Sequence, residues 1–405
     1  MRRGTVAFIF VTVVLDVLAL GVVIPVLPKL VESFLGGDTA SAARMLGLFG
    51  TVWSAMQFVA SPLLGALSDR FGRRPVLLFS NFGLGLDYIF MALAPSLGWL
   101  FVGRVISGIT GASFTTAAAY IADVTPPEKR AGAFGMMGAA WGLGFVLGPA
   151  FGGVLGAMDP RLPFWVAAAL TLVNATYGFF VLPESLTADR RSATVDFAKA
   201  NPLGSLRLLR SHHELWGLAG IYALYMLAHQ VMQNVFVLYT SFRYGWDERT
   251  LGFALTGVGL ASAVVQGGLV RPIVTALGER KALVLGLMSG ILGFLFWGLA
   301  PTGRLFCLGI PFGAFMGLFG PSIQGLMTRC VDVSEQGKLS GANTSVQGLM
   351  GMIGPGFFTT IFAASISTRA SWGLPGLAFL VGGGLLLIAL LFAVRAVRAV
   401  HAAPR

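Results

Sequence analysis

Long apolar segments separated by short polar turns run the length of the chain, at approximately residues 5-27, 45-67, 75-95, 99-121, 131-156, 162-183, 215-240, 250-275, 281-300, 304-328, 339-366 and 373-394. Each is about twenty residues or longer, enough for a helix rising ~1.5 Å per residue to cross a ~30 Å hydrocarbon core. A bilayer offers the backbone no water, so such segments must close their hydrogen bonds internally. The pattern predicts an all-α membrane protein with twelve transmembrane helices. One polar interruption is much longer than the rest, Glu184 to Glu214, containing PESLTADRRSATVDFAKANP. It divides the spans six and six, predicting a bundle over 1-183, a cytoplasmic linker over 184-214 and a second bundle over 215-405.

An internal repeat supports the division. RFGRRPVLL matches ALGERKALVL, Ala94-Pro95 matches Ala300-Pro301, and Gly148-Pro149 matches Gly354-Pro355, all at one spacing of 206 residues. Three matches in one register predict pseudo-symmetric halves related about an axis along the membrane normal, with a substrate cavity at the midplane between them. In the second copy Thr275 stands for Asp69 and Glu279 for Arg73. The ionic machinery is therefore expected in the first half.

Composition agrees: with 56% hydrophobic and 11% charged residues, the chain is far from a soluble domain, in which about a quarter are charged. A net charge of +11 would suggest nucleic acid as a partner, but the placement of the basic residues excludes it. Of 28 Lys and Arg, twenty fall at the two ends and in the loops on their side, seven in the opposite loops, and Arg104 within a span. The positive-inside rule then puts both termini in the cytoplasm. The first span follows Arg2 and Arg3 but is long and holds Asp16 and Pro25, so it reads as uncleaved rather than as a signal peptide. Cys307 and Cys330 fall near opposite ends of the tenth span, suggesting neither a disulfide nor a metal site. No cofactor is expected. The expected partners are a small-molecule substrate, protons and the lipid bilayer, and the protein is expected to be a monomer.

Four ionisable residues lie deep in the spans: Asp16, Asp87, Arg104 and His229. An Asp or Arg at a helix centre costs roughly 2.5 to 3.5 kcal/mol on insertion scales, so each should face a cavity or a partner. Burial favours a neutral acid and a nearby cation favours a carboxylate, and that competition makes a proton switch. Asp16 and Asp87 are the acidic candidates to balance Arg104, although either could instead only hydrogen-bond a neighbouring helix. In the seventh span Tyr222, Met226, His229, Gln233 and Phe236 recur at three- and four-residue intervals and share a face. An aromatic and methionine surface with an amide suits bulky, mostly apolar ligands, while the same stripe could simply pack. Gln57, Gln324, Asn343 and Gln347 are weaker substrate candidates, since amides in a bundle often join helices.

The charged turn GALSDRFGRRPVLL, Gly65 to Leu78, resembles the loop between the second and third helices of the major facilitator superfamily. The longer run DRFGRRPVLLFSNFGLGLDY resembles the tetracycline/proton antiporter branch of its drug-efflux group. The resemblance implies the major facilitator fold and a multi-pass protein of the cytoplasmic membrane. It also implies a cytoplasmic gate from Asp69, Arg73 and Asp123 with Arg130 nearby, Gly72 giving the turn its freedom. LFVGRVISG, around Arg104, is similar to a fourth-helix motif implicated in proton transfer. Gly135, Gly144, Gly148, Pro149, Gly152 and Gly153 fit the antiporter motif G-x8-G-x3-G-P-x2-G-G, whose carriers are usually exporters. Physically, Gly144, Gly148 and Gly152 make a flat stripe for close helix approach, and Pro149 removes a backbone donor. The branch carries a coupling histidine in helix eight and an aspartate in helix nine. Ser262 and Gly290 stand there, and neither carries a proton.

The expected function is a proton-driven exporter of small amphipathic compounds. No G-x-x-x-x-G-K-[ST] loop is present to bring in ATP. A proton symporter or facilitator on the same fold is the alternative, and a sensor or scaffold without turnover a third. No nucleophile-base or metal-ligand cluster suggests an enzyme.

Overall fold

The computed structural model describes residues 3–111, 114–126, 129–192, 204–206, 208–209, 213–332, 335–367 and 373–402. Residues 193–203, inside the expected linker, lie outside the described residues. Among the described residues, ten helical stretches are long and apolar enough to cross a membrane. One of them, Glu248–Leu299, is 52 residues long and breaks at Gly278, whose φ of 76° no helix holds, so it supplies two spans. The twelfth is Leu97–Thr110, continued by Phe114–Val124.

We number the spans α1 (Arg3–Val23), α2 (Thr39–Phe71), α3 (Arg73–Ala92), α4 (Leu97–Thr110 with Phe114–Val124), α5 (Arg130–Met158) and α6 (Leu162–Val181). The second six are α7 (His213–Tyr244), α8 (Glu248–Val264, continuing through a π turn at Val265–Leu269), α9, α10, α11 (Gln336–Ile366) and α12 (Leu377–Ala402). In the run Val270–Leu299 the residues before Gly278 complete α8 and those after it form α9. α10 is Gly303–Phe315, a 3-10 turn Met316–Leu318 and Phe319–Thr328. α1 is shorter than the hydropathy pattern suggests: it ends at Val23, and a separate short helix, Leu27–Phe34, follows Pro25 with a proline in its first turn. Proline lacks the N–H that a continuing helix needs, whereas the first turn of a new helix tolerates it.

The spans gather into two compact units. The first comprises Met1–Gly37, Val52–Pro202 and Asp247–Thr256, and the second Asp38–Thr51, Leu203–Trp246 and Gly257–Arg405. In the first, Val13 and Val17 of α1 pack with Tyr120 and Ile121 of α4, Ala133 and Ala140 of α5 and Leu182. In the second, Tyr239, Phe306 and Phe379 meet around a core that includes Phe294 and Trp297.

The repeat is present in the backbone as well as in the residue types. Gly72 has φ 105° and ψ 156°, and Gly278, 206 residues on, has φ 76° and ψ 158°. Both conformations belong to glycine, and in each half they turn the chain sharply from one span into the next.

Candidate functional site

Asp16 sits beyond the midpoint of α1 without a basic partner among the described residues. The Asn174 amide of α6 donates to its Oδ1 at 2.8 Å, and Asn81 of α3 contributes a second side-chain contact. Asp87, on α3, is 2% exposed, and neither carboxylate oxygen has a hydrogen-bond partner among the described residues. Gly103 on α4 leaves room for it, since a Cβ there would lie 3.2 Å from Asp87 Oδ1. Arg104, next to that glycine, acts on Asp87 through its charge but extends Nη2 toward the Met91 sulfur at 3.4 Å. The expected pairing of Arg104 with a midspan acid is thus not made here. Arg104 and Asp87 interact at a distance, and Asp16 is held by amides.

The charged turn forms the expected network with different emphasis. Arg73 reaches Asp69 at 2.6 Å and Asp123 at 3.2 Å, and donates to Ser68 Oγ at 2.6 Å. Glu184, just past the end of α6, accepts the backbone N–H groups of Arg73, Ser185 and Leu186 through one oxygen at 2.9 to 3.1 Å. It thereby caps the first turn of α3, and Arg191 lies 3.8 Å from its other oxygen. Arg130 does not join the acids. Its guanidinium donates to the carbonyls of Ala122 and Thr125, which the end of α4 leaves unpaired.

In the second unit Glu279 pairs with Arg329 at 3.0 Å. These positions lie 206 residues beyond Arg73 and Asp123. The ionic machinery is expected in the first half, and the second keeps a corresponding ion pair with its signs exchanged.

The antiporter glycines are packing sites. Cβ atoms on Gly144, Gly148 and Gly152 would collide with Val17, Gly21 and Val22 of α1, so these glycines let α1 and α5 touch backbone to backbone. Gly153 faces Gly252 in the same way, and Thr256 donates to the Val146 carbonyl at 3.0 Å. Pro149 lies inside the helix, and Gly135 has open space around it.

The α7 face is split. Tyr222 and Met226 are half-buried, Gln233 is exposed, and His229 lies edge-on to Tyr225 with its Nδ1 buried and without a hydrogen-bond partner among the described residues. Phe236 is 1% exposed, with Phe306 at 5.5 Å and Trp246 at 6.5 Å, which corrects its assignment to a ligand surface. Phe236 keeps the angular position of the stripe, but residues 235–240 are buried on every face of α7, so at this end the whole helix is enclosed and a side chain on any face joins the core. Asn343 donates to Gln324 at 2.8 Å, joining α11 to α10, while Gln347 is exposed and Gln57 half-buried. Ser262 is half-buried. At Gly290 the place of a side chain is taken by Leu386 and Met316. Neither Cys307 nor Cys330 is in a disulfide among the described residues, and the Cys330 thiol lies 3.4 Å from the Leu326 carbonyl oxygen.

Sequence reasoning missed Asn174, Glu184 and Arg329. Signals for all three existed: a midspan amide, an acid at a span's end, and the repeat offset applied to Asp123.

The family model for the Major Facilitator Superfamily matches residues 9–355. A tetracycline resistance protein, class C, from Escherichia coli is 38% identical over 94% of this chain and 93% of its own length. Multidrug resistance protein 2 of Bacillus subtilis is 27% identical, covering 92% and 91%. Among solved structures, the human organic anion transporter MFSD10 superposes with a TM-score of 0.72 over 96% of this chain and 99% of that one, at 24% identity.

Proposed function

This chain belongs to the major facilitator superfamily, a family of transporters, and we propose that it is a proton-coupled antiporter exporting small amphipathic compounds across the cytoplasmic membrane by alternating access. The working parts in this reading are two six-helix bundles, 1-183 and 215-405, joined by a cytoplasmic linker over 184-214, with both termini inside. The observation that carries it is the state of Asp16 and Asp87. Two carboxyl groups stand within the apolar zone of one bundle, and neither is in an ion pair among the described residues. A carboxylate committed to a cation holds its charge, whereas one held by amides or by nothing can exchange a proton with each cycle. Arg104, on the neighbouring α4, acts on Asp87 through its charge. With Gly290 closed by Leu386 and Met316, coupling belongs to α1, α3 and α4.

Asp69, Gly72, Arg73 and Asp123 form the cytoplasmic gate in this reading, with Arg130 tying down the end of α4. The α1–α5 glycine seam is the rigid element against which the gate works. Ligand contacts fall to Tyr222, Met226, His229 and Gln233. The relatives named for tetracycline and multidrug resistance support export, and make tetracycline and ethidium the first compounds to test. The driving force is the proton gradient, to which the membrane potential adds ~2.3 kcal/mol per charge per 100 mV.

The test uses everted vesicles energised by a proton gradient. The parent chain accumulates ethidium or tetracycline, and Asp16→Asn and Asp87→Asn lose gradient-driven accumulation while inserting normally. Undiminished uphill accumulation by either variant would remove that residue from the coupling route.

A further inference from the structure

Asn174 joins two helices through one end of its amide. Its Nδ2 lies 3.1 Å from the Thr12 carbonyl oxygen and 2.8 Å from Asp16 Oδ1. A backbone carbonyl can only accept, so the Thr12 contact identifies this end as the NH2 group, and the Asp16 oxygen beside it is accepting as well. The other end, Oδ1, is buried and has no hydrogen-bond partner among the described residues. Asn174 as a whole is 1% exposed. One end of a buried amide therefore serves two acceptors while the other is idle, and an idle buried acceptor is costly.

The two ends match the two states of a carboxyl group. An ionised carboxylate needs donors, which the present orientation supplies. A protonated acid must place its own O–H on an acceptor, which Asn174 supplies only after its amide turns over. That rotation would bring the idle Oδ1 to the acid and break the tie to Thr12.

We propose that Asn174 is a positioning residue for the proton carrier, its amide turning with the protonation state of Asp16 so that the α1–α6 tie at Thr12 is closed when Asp16 is ionised and open when it is protonated. This rests on the reading of Asp16 as a proton carrier. No covalent chemistry is needed: one proton adds to a carboxylate oxygen, and one neutral side chain rotates.

The surroundings leave few competing charges. Of the elements packed on α1, α5 bears no titratable group after Arg130, and α6 has Tyr177 alone. α4 brings Arg104, Tyr120 and Asp123, of which Tyr120 donates to the Pro183 carbonyl and Asp123 is engaged by Arg73. α3, which supplies Asn81, also carries Arg73, Arg74, Asp87 and Tyr88, and Tyr88 is close enough to feel the Asp16 charge.

The test is an infrared titration of the protein in liposomes, following the carboxyl stretch that disappears in Asp16→Asn. Asn174→Leu keeps the volume and suits a membrane helix but removes both ends of the amide. It should move the midpoint of that band by about one pH unit toward alkaline pH, because the charge-assisted bond lost by the carboxylate is about twice as strong as the neutral bond lost by the acid. Asn174→Ser, which can both donate and accept, should recover part of the shift. In the parent chain the Asn174 side-chain amide band should shift with the same midpoint as the Asp16 band, and an amide band that stays fixed through that titration overturns the proposal. A purely structural Asn174 would let the Leu variant lose thermal stability with the midpoint at its parental value, and that result overturns the proposal. Gradient-driven ethidium export by Asp16→Asn in everted vesicles addresses the coupling reading separately. If that variant still pumps, the coupling reading fails, while the infrared midpoint still reports whether Asn174 governs Asp16.

Discussion

Glu279 and Arg329 form an ion pair of 3.0 Å at the positions that repeat Arg73 and Asp123, whose own contact is 3.2 Å, and the two pairs carry opposite polarity. The repeat has kept the contact and exchanged the charges, so each half pins the turn after its second helix to the end of its fourth. The surroundings differ. Arg73 is 11% exposed and also engages Asp69 and Ser68, whereas Arg329 is 73% exposed.

That difference ranks the two latches. An exposed pair is worth under about 1 kcal/mol, so Glu279→Gln should scarcely move thermal unfolding in detergent. Arg73→Ala strips charged hydrogen bonds from a largely buried side chain and should cost about 2 kcal/mol or more, with transport falling while expression persists. Exchanging the charges in the second half, Glu279→Arg with Arg329→Glu, should restore parental behaviour, and Glu279→Arg alone should be worse than Glu279→Gln. The reverse ranking in melting curves would contradict the role given to burial.

The paired glycine turns offer a cleaner comparison. Alanine at Gly72 or at Gly278 meets the same backbone penalty, about 1 kcal/mol or more for a positive φ. A Cβ on Gly278 would meet nothing within 4 Å among the described residues beyond its own chain neighbours, but a Cβ on Gly72 would strike the Glu184 carboxylate and lift it from the start of α3. Gly72→Ala should therefore lose more stability than Gly278→Ala, and Glu184→Gln should narrow the gap. Equal melting temperatures for the two alanine variants would show that the Glu184 cap contributes little.

Position along α5 separates packing from motif membership. Gly148→Val places a branched side chain against the Gly21 backbone and should abolish stable insertion, because backbone cannot move aside as a side chain can. Gly135→Ala meets open space, removes a helix-interior glycine and should leave stability unchanged or raised by up to about 1 kcal/mol. Yield and gel-filtration profile after solubilisation read both outcomes.

Along α7 the expected roles divide between neighbours. Phe236→Ala should cost about 3 to 5 kcal/mol as a core truncation, with a lower yield and an unaltered preference among exported compounds. Tyr222→Ala and His229→Ala should fold and change the ranking of ethidium against tetracycline in a resistance panel. A Phe236 variant that folds normally and changes that ranking would return it to the ligand surface.

Span number and the residues too polar for their depth were legible in the order of amino acids. The bilayer imposes a length and a polarity on each segment independently of its neighbours, and the 206-residue offset carried the turns of one half onto the other. The sharp turn at Gly72 and the close seam at Gly148 followed in the same way, since only glycine suits such places. What each side chain touches depends on the rotation of every helix about its axis, which no single segment encodes. Tertiary structure alone gave Asp16 to Asn174 instead of Arg104, placed Phe236 in an aromatic core, tied Arg130 to carbonyls, and joined Glu279 to Arg329. Asp16 and Asn174 stand 158 positions apart in the chain. Such contacts exist only because the lateral packing of small and large residues leaves each helix one way to face its neighbours.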